Sequence, residues 1–134
     1  MKRETQGDKP KSQVTVPARP EAGALARRAV SEWLGEHPRL DDALLGLTEL
    51  VNNAVLHGGL GPGEHLTITM TPEHSGIRLT VRHVGVPFDT KRPPSPTRDA
   101  AASRGLAIVE KIADSWGVDS DGSEVTAWFE LGQK

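Results

Sequence analysis

Apolar residues recur with the period of a helix in the first half of the chain. In residues 20–36, and again from Asp41 to Gly58, the apolar positions return every three or four residues, which predicts two amphipathic helices. Asp41 and Asp42 place negative charge at the start of the second helix, where the helix dipole favours it, and Gly58 follows its last apolar turn. The second helix is therefore the most strongly marked element of the sequence.

A third helical pattern follows a proline-rich stretch. Residues 91–96 contain three prolines, which forbid a helix or a central strand and predict an exposed loop. The apolar residues between Leu106 and Ile112 then resume the helical period directly after Gly105, and Gly117 follows the segment. The pattern predicts a third helix that begins at Gly105 and closes at Gly117.

Alternation of apolar and polar residues, with a period of two, marks the strands. Residues 13–16 predict a short strand at a sheet edge, residues 66–70 and 77–81 predict a hairpin around the turn formers of 72–76, and residues 124–131 predict a last strand. The order strand, helix, helix, strand, strand, loop, helix, strand is neither regularly alternating nor of one type. It predicts an α+β fold in which helices cover one face of a sheet.

The composition narrows the classes of function. The chain has 134 residues, which suits one compact domain, predicted over residues 13–134 after a charged, loosely ordered tail over residues 1–12. A formal net charge of -2 and only five aromatic residues, three Trp and two Phe, argue against nucleic-acid binding. The absence of cysteine excludes disulfides and thiolate metal sites, and no apolar run approaches the ~20 residues of a membrane span. A cytoplasmic protein that binds neither nucleic acid nor membrane is the expectation.

The second predicted helix carries a polar pair that a role in the core does not explain. Glu49 and Asn53 are four residues apart, so a carboxylate and a carboxamide project from one helix face while leucines and valines fill the opposite face. A carboxamide oxygen is a hard neutral ligand that suits Mg²⁺, and a carboxylate one turn earlier suits a general base for an attacking hydroxyl. The alternative is that Glu49 is a solvated residue and Asn53 a locally hydrogen-bonded one. His57, at the end of the same helix, is interpreted as a residue that interacts with the helix dipole.

Three segments, in this order, resemble a known family of nucleotide-binding domains. They are the Glu-x-x-x-Asn helix, a turn with Gly85 followed by Pro-Phe-Asp at residues 87–89, and the segment at residues 103–109. Together they resemble the ATP-binding domain shared by gyrase, the MutL repair protein and histidine kinases, and they are most similar to the anti-sigma-factor serine/threonine kinases. The resemblance spans residues 13–131. It implies a two-layer α/β sandwich of the Bergerat type, with a mixed, mostly antiparallel sheet covered on one face by about three helices.

The resemblance also implies ATP and Mg²⁺ as cofactors and assigns roles to single residues. It makes Glu49 the catalytic base and Asn53 the ligand of Mg²⁺. A glycine at a helix start leaves backbone N–H groups open to an anion, and an arginine beside it adds a charged fork. The residues that the resemblance assigns to nucleotide binding are Asn53, His83, Gly85, Arg104, Gly105 and Leu106.

At one position the chain departs from the family pattern. In the family the glycine turn begins with an aspartate that accepts a hydrogen bond from the exocyclic amine of adenine, and His83 stands at that position here. Neutral imidazole accepts at one nitrogen and protonated imidazole at none, so the loss of a charged acceptor would cost about 1–3 kcal/mol, or roughly ten- to a hundredfold in affinity. Ser103, where the phosphate-binding turn commonly has glycine, is a milder departure.

Two functions follow, from different classes. The first is a Mg²⁺-ATP-dependent protein serine/threonine kinase that transfers the γ-phosphate to a hydroxyl of an antagonist protein and sequesters a sigma factor, with a homodimer as the implied assembly. The second is a degenerate nucleotide-binding fold that regulates a partner protein by contact alone. Glu49 and Asn53 favour the first function, and His83 favours the second.

Overall fold

Three helices and five strands make up the described part of the protein, which in this computed structural model is residues 10–57, 60, 63–84 and 98–132, with the backbone alone for residues 98–103. Within these residues no helix is both long and apolar enough to cross a membrane. In chain order the elements are β1 (Ser12–Pro17), α1 (Ala22–Leu34), α2 (Leu40–His57), β2 (His65–Glu73), β3 (Gly76–Val84), α3 (Arg98–Ile112), β4 (Ser115–Asp121) and β5 (Glu124–Gly132).

The strands form one sheet in the order β1-β2-β3-β5-β4, and each of these pairings is antiparallel. The strand predicted at residues 13–16 is β1, and it occupies a sheet edge as predicted. Alternate side chains point to opposite faces, so Leu79, Val81 and His83 of β3 share the buried face, which β5 continues with Phe129. The sheet therefore has an apolar face and a more polar outer face.

The helices cover the apolar face of the sheet. The central helix, α2, packs on β3 and β5, with α1 on one side over β1 and β2 and α3 on the other beside β4. Gly46 of α2 lets the ring of Phe129 approach the helix backbone, because a Cβ built at Gly46 would lie 2.7 Å from the ring. Each large apolar side chain buried in this way stabilises the fold by about 1.5–3 kcal/mol. Helices on one face of an antiparallel sheet are the α+β architecture that the sequence predicts, and that prediction is confirmed.

The first two helices lie close to their predicted positions. The first, α1, is shorter than the predicted 20–36, because Gly35, with a φ of 64°, ends it and donates its N–H to the carbonyl of Ser31. The second, α2, holds Asp41 and Asp42 in its first turn, as predicted. Local signals thus place both helices to within about two residues.

The prediction for the third helix is wrong at both ends. The helix α3 begins at Arg98, seven residues before Gly105, and ends at Ile112, so Gly105 lies inside it. Gly117 does not close a helix, because it lies in the middle of β4, a strand that the alternation pattern does not reveal. The sequence therefore predicts one strand too few.

Contacts between residues far apart in sequence explain β4. Its sequence, Ser-Trp-Gly-Val-Asp-Ser-Asp, is rich in residues with low strand propensity. It pairs along its length with β5, and the indole of Trp128 lies against Gly117, where a Cβ would be 2.8 Å from the ring. The neighbouring strand, rather than local propensity, thus determines β4.

The predicted hairpin is formed by β2 and β3, but both strands are longer than expected. Pro72, predicted in the turn, lies in β2 and pairs with Ile77. It lies beyond Met70, the last residue of β2 that pairs with β1, so its missing N–H costs no hydrogen bond to that strand. The turn between β2 and β3 therefore consists of only two residues, His74 and Ser75, instead of the predicted residues 72–76.

Some predictions concern residues outside the described part of the chain. The proline-rich loop at residues 91–96 lies entirely outside it, and the tail predicted over residues 1–12 lies outside it for residues 1–9. Both stay predictions. The domain boundary at residue 13 also stays a prediction, although β1 begins at Ser12.

Candidate functional site

A buried carboxamide marks one side of α2. Asn53 is only 3% exposed, among core residues such as Leu50 and Ala54, and it interacts with other groups of the protein. Glu49 lies one turn earlier and is partly exposed. Burying an amide is costly unless its donors and acceptors are satisfied, so this position is chemically demanding. The pair combines a buried carboxamide with a carboxylate that solvent can reach.

Gly105 of α3 lies directly against this pair. A Cβ built at Gly105 would be 2.9 Å from Glu49 Oε1 and 3.2 and 3.3 Å from Asn53 Oδ1 and Nδ2. A side chain at residue 105 would therefore displace one or both polar groups, and the glycine allows the backbone of α3 to reach them. Residues of two separate sequence motifs are in this way neighbours in the fold.

The structure changes the reason for a glycine at this position. The sequence predicts that Gly105 opens a helix and offers free N–H groups to a phosphate. In the structure Gly105 lies inside α3, beyond the first four residues, which are the ones whose N–H groups lack partners within a helix. Gly105 therefore serves close helix packing beside the polar pair, and its part in nucleotide binding stays a prediction.

The two neighbours of Gly105 have different surroundings. Arg104 is exposed, whereas Leu106 is buried and joins the apolar core. Adjacent residues of a helix point about 100° apart, which accounts for the difference. Arg104 is thus a charged group open to an anion, while Leu106 packs in the core and its predicted contact with a nucleotide stays a prediction.

His83 lies near the end of the buried face of β3. Its side chain is 4% exposed, and its Nδ1 lies 3.3 Å from the carbonyl oxygen of Val84. Because a carbonyl can only accept, this contact assigns the proton to Nδ1 and leaves Nε2 with a lone pair. Burial lowers the pKa of His83, and the hydrogen bond to Val84 only partly offsets that effect. A neutral imidazole with one acceptor nitrogen is the form expected near pH 7.

The structure brings together only part of the predicted site. Glu49, Asn53 and Gly105 are adjacent, with the two neighbours of Gly105 beside them in α3. His83 lies on β3, one of the two strands on which α2 packs. Gly85 is outside the described residues, so its predicted place in the site stays a prediction.

His57, predicted to interact with the helix dipole, lies on the helix face that carries Glu49 and Asn53. It follows Asn53 by four residues and Glu49 by eight, a spacing that keeps all three on one side of α2. Both of its ring nitrogens are shielded from solvent and make no hydrogen bond within the described part of the chain. The spacing of four residues between Asn53 and His57 is the sequence signal that places His57 on this helix face.

The oxygens of the pair suit a metal ion only in company with other ligands. Within the described residues no group of three or more His, Asp or Glu side chains could hold a metal ion. Mg²⁺ is commonly bound through one or two protein oxygens and completes its octahedron with water and nucleotide phosphates. Glu49 and Asn53, beside a backbone that carries no side chain at Gly105, fit this mode of binding.

Comparisons with known proteins agree on the kind of domain. A family model described as the histidine kinase-like ATPase domain matches residues 16–129. No curated protein matches the chain in sequence. Among solved structures, that of the RsbU and RsbW domains of Rv1364c from Mycobacterium tuberculosis matches 92% of this chain, with a TM-score of 0.69 and 20% sequence identity. The match covers only 32% of that longer chain, and at this identity the likeness concerns the fold alone.

Proposed function

The chain belongs to the family of histidine kinase-like ATPase domains, and from that premise we propose that it is a regulatory protein kinase that uses Mg²⁺-ATP. The family match covers residues 16–129 and thus both helices of the candidate site. In this proposal the γ-phosphate passes to a serine or threonine hydroxyl of a partner protein. The resemblance to anti-sigma-factor kinases supplies the type of acceptor.

One observation carries the proposal, which is the convergence of Glu49, Asn53 and Gly105 between α2 and α3. Two helices can pack stably against each other through apolar side chains alone. The contact between α2 and α3 instead includes a carboxylate, a buried carboxamide and bare backbone. A ligand that carries both a cation and phosphate oxygens accounts for that choice of residues.

Each residue of the site has its own task in the proposed reaction. When bound, Mg²⁺-ATP supplies the phosphoryl group and the positive charge that balances it. Asn53 holds the metal ion through its carboxamide oxygen, and Arg104 offers its charge to the phosphates. Glu49 accepts the proton of the attacking hydroxyl at a carboxylate oxygen, which makes that hydroxyl a better nucleophile. Gly105 keeps the backbone of α3 close without filling the space beside the pair.

The proposed partners follow the same resemblance. The chain would act in the cytoplasm as a homodimer that sequesters a sigma factor and phosphorylates the antagonist of that interaction. The formal net charge of -2 gives no reason to expect nucleic acid as the target. Co-purification from the native cell tests this part, because a sigma factor and its antagonist should be captured together with the chain.

Calorimetric titration with ATP, with and without Mg²⁺, tests nucleotide binding. We expect the wild type to bind ATP more tightly with Mg²⁺, and Asn53→Ala to lose about ten- to a hundredfold in affinity together with the dependence on Mg²⁺. Asn52→Ala is the matched control, because Asn52 is exposed, is adjacent in α2 and faces α1 at Gly23. Equal binding by wild type and Asn53→Ala would remove Asn53 from the site.

His83 favours a second candidate function, a module that regulates its partner without catalysis. Its buried, neutral ring offers one acceptor where the family carries a charged carboxylate. The same titration separates the two functions. Heat of binding at millimolar ATP supports the kinase, whereas a folded wild-type protein that releases no heat would support the binding module.

A further inference from the structure

Arg39, directly before α2, joins the ends of three elements. Its guanidinium donates from Nη2 to the carbonyl oxygen of Ile112 at 2.9 Å, from Nη1 to that of Gly132 at 3.2 Å, and from Nε to Asp42 Oδ2 at 3.2 Å. Ile112 is the last residue of α3 and Gly132 the last of β5. One side chain therefore fastens the start of α2 to both of these ends, and we call these contacts the Arg39 clasp.

The charge and burial of Arg39 favour strong hydrogen bonds to the C-terminal end of α3. The last carbonyls of a helix lack partners within it, and a cation at that end is favoured by the helix dipole. The Arg39 side chain is only 14% exposed, so water competes little for these hydrogen bonds. Asp42 balances part of its charge. The final turn of α3 is thus held by a charged donor with few alternative partners.

The Arg39 clasp and the candidate site both lie where α2 packs against α3. Before α2 begins, Arg39 meets the end of α3, whereas the middle of α2 meets Gly105, so the two helices run in opposite directions. Gly105 precedes Ile112 by seven residues, or about 10 Å along the helix axis. The clasp and the site are therefore connected through one continuous helix, α3.

The site has little tolerance for a displacement of α3. A screw movement of α3 by one residue, about 1.5 Å along its axis, would place Arg104 or Leu106 where Gly105 stands. Even a Cβ at that point would come within 2.9 Å of the Glu49 carboxylate. The packing between α2 and α3 therefore accepts only one register at the polar pair.

We propose that Arg39 is a positioning residue for the nucleotide site, because it holds the end of α3 and thereby keeps Gly105 against Glu49 and Asn53. This inference rests on the proposed binding of Mg²⁺-ATP at the pair. Loss of the clasp loosens α3 and lowers the affinity for the nucleotide, without removing any group that touches it.

The test compares Arg39→Met with Arg78→Met in calorimetric titrations with Mg²⁺-ATP, at a temperature well below the unfolding midpoint of either variant. Arg78 is the matched control, because it is also a partly buried arginine and bonds Glu130 of β5 at 2.8 Å, but on the outer face of the sheet. We expect Arg39→Met to bind ATP about ten- to thirtyfold more weakly and Arg78→Met to stay within about twofold of the wild type. Amide hydrogen exchange in α3 should accelerate in Arg39→Met alone.

A second variant keeps the test decisive if Arg39→Met does not fold. Arg39→Lys retains the charge but not the planar fork, so we expect it to fold and to bind ATP roughly three- to tenfold more weakly. Wild-type affinity in the Arg39 variants, or equal weakening in Arg39→Met and Arg78→Met, would overturn the positioning role while leaving the proposed function in place. A wild type that binds no ATP would defeat the proposed function and this inference together.

Discussion

Two polar clusters lie on opposite sides of the sheet, and they are built from different combinations of groups. On the outer face the guanidinium of Arg78 lies 4.0 Å from the ring centre of Trp128 and donates to Glu130. Glu130 also accepts a hydrogen bond from Ser115, and the indole N–H of Trp128 donates to Asp119. The donors of Arg78, Ser115 and Trp128 thus each have an acceptor within this cluster. These contacts join β3, β4 and β5, and this structural role is enough to explain the cluster.

The inner cluster, where α2 meets α3, is built from other groups. Glu49 contributes a carboxylate and Asn53 a carboxamide, and the third member is the bare backbone of Gly105. Polar packing alone therefore does not indicate function, since the hydrogen bonds of the outer cluster join neighbouring strands. The inner cluster differs in the type of its groups, because carboxylate and carboxamide oxygens are ligands that Mg²⁺ accepts together with nucleotide phosphates.

Neutralising one carboxylate in each cluster should give the largest difference between a catalytic and a structural role. Glu49→Gln should lower the rate of ADP formation from ATP by about 10²–10⁴-fold, because a general base is lost, while ATP affinity changes little. Single-turnover assays with labelled ATP and the co-purified antagonist protein as phosphoryl acceptor measure the rate. Glu130→Gln is the control and should leave the rate within about twofold of the wild type, with a loss of stability of roughly 1 kcal/mol. An unchanged rate in Glu49→Gln would remove the catalytic role of Glu49.

A matched pair of glycine substitutions gives the next largest difference. Gly105→Ala should displace Glu49 and Asn53 and weaken Mg²⁺-ATP binding about tenfold or more, while the helix propensity gained by alanine, about 1 kcal/mol, offsets part of the strain. Gly117→Ala instead pushes against Trp128 on the outer face. It should lower the unfolding midpoint and leave ATP affinity unchanged. Titration and thermal unfolding of both variants measure the contrast, and a reversed pattern would contradict it.

Residue 83 tests whether the sheet beneath α2 takes part in nucleotide recognition. His83→Asp restores a charged acceptor and should tighten ATP binding by up to about tenfold if residue 83 lies at the adenine. His83→Leu removes the acceptor nitrogen and should bind ATP no more tightly than the wild type. Calorimetry measures both affinities. The same affinity in His83→Asp as in the wild type would show that residue 83 does not meet the base.

The pH dependence of stability gives the smallest expected effect. Because burial lowers the pKa of His83 from its ordinary value of 6.5, the unfolded chain takes up the proton first as the pH falls. The stability that the neutral ring contributes is fully present above about pH 6.5 and is lost as the pH falls from there toward the folded pKa. Urea unfolding between pH 7 and about pH 5.5 should show this loss in the wild type and a smaller one in His83→Leu. Equal slopes would contradict the burial of the ring.

Elements with local signals could be predicted from the sequence, and elements that depend on distant contacts could not. Asp41 and Asp42 mark the start of α2, and the pattern of residues 13–16 marks an edge strand, without knowledge of any neighbour. The start of α3 lacks an apolar period, yet its alanines at residues 100–102 are strong helix formers and could have indicated it. The strand β4 had no such signal, since its pairing with β5 determines it.

The candidate site shows the same division. The spacing of Glu49 and Asn53 predicts that they share a helix face, and α2 confirms that face. The packing role of Gly105 could not be predicted, because a glycine followed by a helical period indicates a helix start as readily as close helix packing. Arg39 has no sequence signal at all, because it binds backbone carbonyls that lie 73 and 93 residues further along the chain.

In the proposed function a metal-nucleotide complex binds between α2 and α3 and not on the outer face of the sheet. Mn²⁺ replaces Mg²⁺ at oxygen ligands and broadens the NMR signals of nearby nuclei, so a titration with Mn²⁺-ADP tests the claim directly. We expect the side-chain amide of Asn53 and the backbone amide of Gly105 to broaden first, while the amide of Gly117 in the edge strand β4 keeps its line width. Broadening at Gly117 with sharp signals at Asn53 and Gly105 would contradict the proposed binding site.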